Sequence, residues 1–138
     1  MSFSTCARRA LTVAGLAVFS LSACGENKSS APLSTTYTFS TTTPELTKDI
    51  ESILDVRLVH KETGKPATDA VIVETRFDME PDGMGGMLGT TTSMGSPVPG
   101  VYRFSLKPTM AGRWALKLSA KVRGEAETVR GVVVITAR

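Results

Sequence analysis

Cysteine and histidine are scarce in this chain of 138 residues, and each scarcity removes a class of function. The two cysteines are Cys6 and Cys24, so everything beyond residue 24 is without a thiol and without a possible disulfide. A fold built there must stand on its hydrophobic core alone. The one histidine, His60, closes an apolar stretch just before a turn. Nucleophilic catalysis needs a base beside the nucleophile, most often His, and no Gly-x-Ser-x-Gly elbow accompanies this one. Zinc ligand sets and phosphate-cradling loops are also missing, so the chain is not expected to be an enzyme. Aromatic residues make up 6% of the chain, and its basic residues are scattered. Base stacking and phosphate tracking both lack a basis, and no nucleic acid is expected as a partner. The longest apolar run, Ala10 to Ala23, has about 14 residues. That is short of the ~20 a spanning helix needs.

What is present begins with that run. Arg8 and Arg9 precede it, which makes a charged region followed by an apolar one, the layout of a secretory signal. Leu21-Ser22-Ala23-Cys24 resembles the lipobox of bacterial lipoproteins: a branched apolar residue, two small residues, then cysteine. Residues 1–23 are read as a lipoprotein signal peptide, and Cys24 as the lipidated first residue of the mature protein. The residues usual around a twin-arginine pair are missing, which favours the general secretory route. Gly25 stands where an Asp would favour inner-membrane retention, which leans the anchor towards the outer membrane, facing the periplasm. The formal net charge of +3 falls to about +1 once Arg8 and Arg9 are removed. Residues 24–36, small and polar, read as a flexible tether, and 37–138 as a single folded domain.

Within that domain the apolar residues alternate with polar ones. Tyr37 and Phe39 mark one strand, and Leu54, Val56 and Leu58 a second. Val71, Val73, Thr75 and Phe77 are expected on one face of a third. A long loop is expected from Met79 to Gly100. Tyr102, Phe104 and Leu106 follow, then Trp114 to Val122, then Val129 to Thr136. Trp114 is expected in the core, its indole N–H needing a partner. Lys117 and Lys121 read as a solvated face. Pro44 to Ser52 has the only helical flavour. Six or seven short strands with regular turn signals imply an all-β antiparallel sandwich.

The order of these pieces carries a resemblance. Val56-Arg57-Leu58-Val59 leads to Thr63-Gly64-Lys65-Pro66 and Asp69-Ala70-Val71-Ile72. Phe77-Asp78-Met79, Pro81-Asp82-Gly83-Met84, Pro99 to Phe104 and Met110-Ala111-Gly112-Arg113-Trp114 complete it. The series resembles the YtkA-like/FixH-like family of small periplasmic domains, over about residues 50–137. The resemblance implies an immunoglobulin-like antiparallel β-sandwich of about seven strands. Family members occur as lone lipoproteins, beside heavy-metal efflux pumps of the RND class, and beside oxidase-assembly or copper-handling genes; some carry an auxin-binding label. FixH proteins are anchored by a membrane helix, and this chain departs from them by using a lipid.

One stretch concentrates chemistry. Asp78 to Met87 holds Met79, Met84 and Met87, and Met94 follows soon after. Thioether sulfur is soft, uncharged and stable in an oxidising compartment, which suits Cu(I) or Ag(I). The glycines let a loop bring several sulfurs to one ion. Met79, Met84, Met87 and Met94 are therefore candidate ligands, with Met110 as a further one. Asp78, Glu80 and Asp82 offer hard oxygens, but their spacing does not continue into a calcium loop. The competing reading is that these methionines fill gaps or form an adaptable contact surface. Two functions follow. One is a non-catalytic accessory in copper or silver handling or efflux. The other is a metal-independent module docking on an envelope complex such as an RND efflux adaptor or an oxidase assembly factor.

Overall fold

A period of two buries one face of each strand and leaves the other to solvent or to polar partners. The computed structural model, which describes residues 33–34 and 36–138, realises that pattern as nine strands. The expected signal peptide and Cys24 lie outside the described residues. The strands are β1 (Tyr37–Thr41), β2 (Glu45–Leu46), β3 (Ser52–His60), β4 (Ala70–Met79), β5 (Met84–Leu88), β6 (Thr90–Ser93), β7 (Val101–Lys107), β8 (Gly112–Val122) and β9 (Val129–Ala137). A single 3-10 turn, Glu80–Asp82, separates β4 from β5.

Two sheets pack face to face. One has the order β1-β3-β7-β6 and the other β2-β9-β8-β4-β5. Neighbours pair antiparallel except for the short parallel pair of β2 with β9. This is the immunoglobulin-like antiparallel sandwich expected. The inward faces supply Leu54, Val56, Phe104 and Leu106 from the first sheet and Phe77, Trp114, Leu116 and Ile135 from the second, all essentially inaccessible to solvent. Trp114 stacks on Phe77 with ring centroids 4.7 Å apart, and its indole N–H donates to the Met110 carbonyl at 3.0 Å. The Tyr102 hydroxyl donates to the Ala67 and Ala70 carbonyls at 3.1 and 3.0 Å. Those bonds fasten the crossover between β3 and β4 to β7.

The structure departs from the sequence reading in four places. The strand count is nine, because the stretch expected to be one long loop, Met79 to Gly100, contains β5 and β6. Pro44 to Ser52, whose helical flavour is too short to matter and for which no strand is expected, holds β2 and a turn in which Asp49 has a φ of 59°. Val71 and Val73 do not share the inward face of Phe77. An irregularity between Ile72 and Glu74 shifts the register, so Val71 and Val73 face solvent while Ile72 packs on the core. Lys117 is not simply solvated; it lies in ion pairs with Asp78 and Glu80.

Candidate functional site

The methionine-rich segment is built as a folded-back edge. β4 ends at Met79, and Glu80-Pro81-Asp82 make one tight turn closed by Gly83. Gly83 has a φ of 76°, the left-handed conformation that only glycine adopts cheaply, and its N–H bonds the Glu80 carbonyl at 2.8 Å. β5 then returns along β4. Met79 pairs with Met84, yet the preceding residue Asp78 pairs with Leu88. One step on β4 thus matches four on β5, and Gly85, Gly86 and Met87 are thrown outward as an enlarged bulge.

A buried ion cluster holds this bulge. Asp78 points away from the core, between Phe77 and Met79, yet it is wholly inaccessible to solvent. Its Oδ2 accepts from Arg76 Nε at 2.6 Å and Lys117 Nζ at 3.0 Å, and its Oδ1 from the Glu80 N–H at 3.2 Å. Lys117 also pairs with Glu80. Arg76 uses its remaining arm, Nη2, to bond the Gly85 carbonyl at 2.9 Å. Burial pushes the Asp78 carboxyl up, but the hydrogen bonds from Arg76, Lys117 and Glu80 outweigh it, and the group is held below its ordinary value. Burial likewise draws the Lys117 ammonium down, and its bonds to Glu80 and Asp78 carry it above its ordinary value. Asp82 clasps the turn to β8: it accepts from the Arg113 N–H at 2.6 Å and from Arg113 Nε at 2.7 Å. Those bonds, the backbone one first, lower the Asp82 carboxyl as well.

The candidate ligands fall in different surroundings. Met79 belongs to the hydrophobic core, with no exposed surface, and its Cε sits 2.6 Å from where a Cβ on Gly112 would lie. Its thioether is packing, against the expectation that it faces a site, because it falls on the inward step of β4. Met84 and Met87 are exposed, at 40% and 39%, on either side of Gly85-Gly86. Met94 lies past the end of β6 on the other sheet, where its N–H bonds the Arg103 carbonyl. Chain between Met87 and Met94 runs a path of roughly 20 Å. Met110 is exposed in the connection leading to Gly112, at the same end of the sandwich as Met84. The three carboxylates are engaged by Arg76, Lys117 and Arg113. Among the described residues no group of three or more His, Cys, Asp or Glu is placed to hold a metal ion. His60 lies at the opposite end of the sandwich, edge-on to Tyr37 with centroids 5.0 Å apart.

Sequence reasoning missed Arg76, Lys117 and Leu88. Arg76 and Asp78 stand two apart on one strand, a same-face pairing of opposite charges that the sequence does display. Lys117 joins them only through the β4–β8 register, in which it sits opposite Arg76. Leu88 is 57% exposed on β5, opposite Asp78. From Gly83 to Tyr102 no residue is charged, so this edge presents thioethers, glycines, hydroxyls and aliphatic side chains such as Leu88.

No curated protein matches the sequence. Among solved structures, the Lin-41 filamin domain is similar at 15% identity and a TM-score of 0.44, covering 74% of this chain and 91% of that one. The ZirS C-terminal domain is similar at 12% identity and a TM-score of 0.43, covering 100% of this chain and 87% of that one. The family model described as YtkA-like matches residues 33–119, which takes in β1 to β7, most of β8, the methionine-glycine edge and the ion cluster that holds it. The chain belongs to the YtkA-like family.

Proposed function

We propose that this chain is a non-catalytic accessory of the cell envelope, anchored by a lipid on Cys24 and facing the periplasm, which acts by binding another envelope protein through β5. The observation that carries the reading is the edge itself. Met84, Met87 and Leu88 are exposed together on an uncharged edge strand, while the carboxylates and cations around it are paired with one another. Methionine adapts its shape to a partner at little cost, and an edge strand offers backbone groups as well. The ion cluster adds rigidity: Arg76 fixes the Gly85 carbonyl, so the bulge is presented in one arrangement. The company kept by the resembling family suggests the partner class, an RND efflux adaptor or an oxidase assembly protein. A photo-crosslinking residue at position 87 of the intact lipoprotein, with position 57 as control, tests this in membranes. One recurrent adduct at 87, lost on Leu88→Asp and retained with a chelator, is the expected result. Equal labelling from both positions would remove the reading.

A second reading rests on Met84 and Met87 themselves. Two accessible thioethers flank a two-glycine bulge, and Met110 lies at the same end, a donor set that suits Cu(I) or Ag(I). Anaerobic competition against a chromogenic Cu(I) chelator separates the two. Copper handling requires competition that disappears in a Met84→Leu/Met87→Leu variant and survives Met79→Leu. No competition by the unsubstituted protein leaves only the contact reading.

A further inference from the structure

We propose that two copies of this domain pair through β6, antiparallel about a two-fold axis at Thr92, joining their four-stranded sheets into one. The inference is independent of the β5 contact, since it uses the edge of the other sheet. β6 lies at the end of the order β1-β3-β7-β6 and has a neighbour only on the β7 side. Its ladder to β7 fixes which groups are free. Met94 donates to the Arg103 carbonyl, and antiparallel bonding alternates. Thr92 and Thr90, opposite Ser105 and Lys107, therefore bond to β7, whereas the N–H and C=O of Thr91 and Ser93 point outward. Sheet edges are usually blocked by a lysine, a proline or an inward charge. Thr90-Thr91-Thr92-Ser93 contains none of these, and β5, the edge of the other sheet, is the one interrupted by a bulge.

A second observation selects both the occupant and the register. The Thr91 hydroxyl is buried without a hydrogen-bond partner, and it is the only such side-chain atom among the described residues. With the axis at Thr92, Thr91 of one copy stands directly opposite Ser93 of the other. Those two residues carry the outward backbone groups, so each N–H meets a carbonyl across the axis. They also put two hydroxyls side by side, and Thr–Ser pairs bond across strands. One χ1 step turns the orphaned hydroxyl towards its new partner. Thr92 meets Thr92 as a non-hydrogen-bonded pair, and no like charges are brought together anywhere along the strand. The segment is complementary to itself, which is what an isologous interface requires.

The test uses the full-length lipoprotein in its own membranes. At the axis, Thr92 Cα atoms would lie about 4.5 Å apart, inside the range a disulfide bridges. Under mild oxidation, Thr92→Cys should give a disulfide dimer about tenfold above Lys121→Cys, an exposed position on the far sheet, because paired cysteines are held at high effective concentration. The unsubstituted chain, whose Cys6 leaves with the signal and whose Cys24 carries the lipid on the proposed reading, is the blank. Register is read by co-expressing Thr91→Cys and Ser93→Cys copies, which should cross-link with each other and not alone. A Thr92→Cys yield equal to that of Lys121→Cys, or a mixed pair that fails to cross-link, would overturn the proposal.

Discussion

Asp78 is the residue whose environment is most unusual for its chemistry. A carboxylate without solvent contact is costly unless several donors replace water, and here two cations and an amide do so. Its partners are not buried with it: the Arg76 and Lys117 side chains are 52% and 31% exposed. When the carboxylate is removed they can return to water, so Asp78→Ala should cost about 2 kcal/mol in urea unfolding, below the usual penalty for breaking a buried pair. The pH dependence follows from the direction of the shift. The folded carboxyl lies below its ordinary value, so its contribution is complete above the unfolded value of about 3.9 and is lost as pH falls through the lowered folded one. The stability gap between the unsubstituted protein and Asp78→Asn should therefore be largest near neutral pH and shrink below about pH 4. A gap constant from pH 7 to the acid limit would show that the bonds to Arg76 and Lys117 do not stabilise the charged form.

At the scale of the element, the edge formed by β4, the tight turn and β5 divides its methionines by task. Met79 fills the core beside Gly112, so Met79→Ala should cost about 3 kcal/mol, and Met79→Leu far less. Met84→Leu and Met87→Leu should stay within about 0.5 kcal/mol of the parent, since both side chains face solvent. Urea denaturation of the four variants checks that ranking, and a large loss at Met84 or Met87 would mean those side chains pack. β9 offers a second test. A Cβ on Gly131 would collide with the Phe39 ring of the opposite sheet, so Gly131→Ala should cost about 1–3 kcal/mol through displacement of that ring. These elements also show what the sequence made legible. Alternation marked β3, β7 and β8, whose inward residues are mostly large and outward ones mostly polar, while β9 showed as a run of Val and Ile with Val132 and Val134 outward. It failed at Val71 and Val73, where an irregularity inverts the faces without changing composition. It failed too at β5 and β6, whose glycines, threonines and methionines carry little contrast between inside and outside. Met84 and Met87 were therefore read as part of a loop, while their place on β5 was set by pairing that no local pattern records. The ion cluster was half visible: Arg76 and Asp78 share a face by spacing, but Lys117 arrives only through register.

For the whole molecule the question is what couples two sheets that no disulfide joins. Beyond Cys24 there is no cysteine, so cohesion comes from a single shared core in which Trp114 and Phe77 of one sheet meet side chains of the other. Neither sheet can bury its apolar face alone, so neither should persist when the other is lost. Trp114 is the only tryptophan, is fully buried and stacks on Phe77, so its fluorescence reports that core without interference. Its unfolding transition should coincide with loss of strand signal in far-ultraviolet circular dichroism, and the midpoint should not move when a reductant is added. Kinetics follow from the same topology. β2 pairs with β9 and β3 with β7, so chain ends far apart in sequence must meet before their contacts form. Refolding followed at Trp114 should accordingly take milliseconds to seconds rather than microseconds. Two separated transitions would show the sheets to be independent units, and a reductant-sensitive midpoint would place a structural role on a cysteine outside the domain.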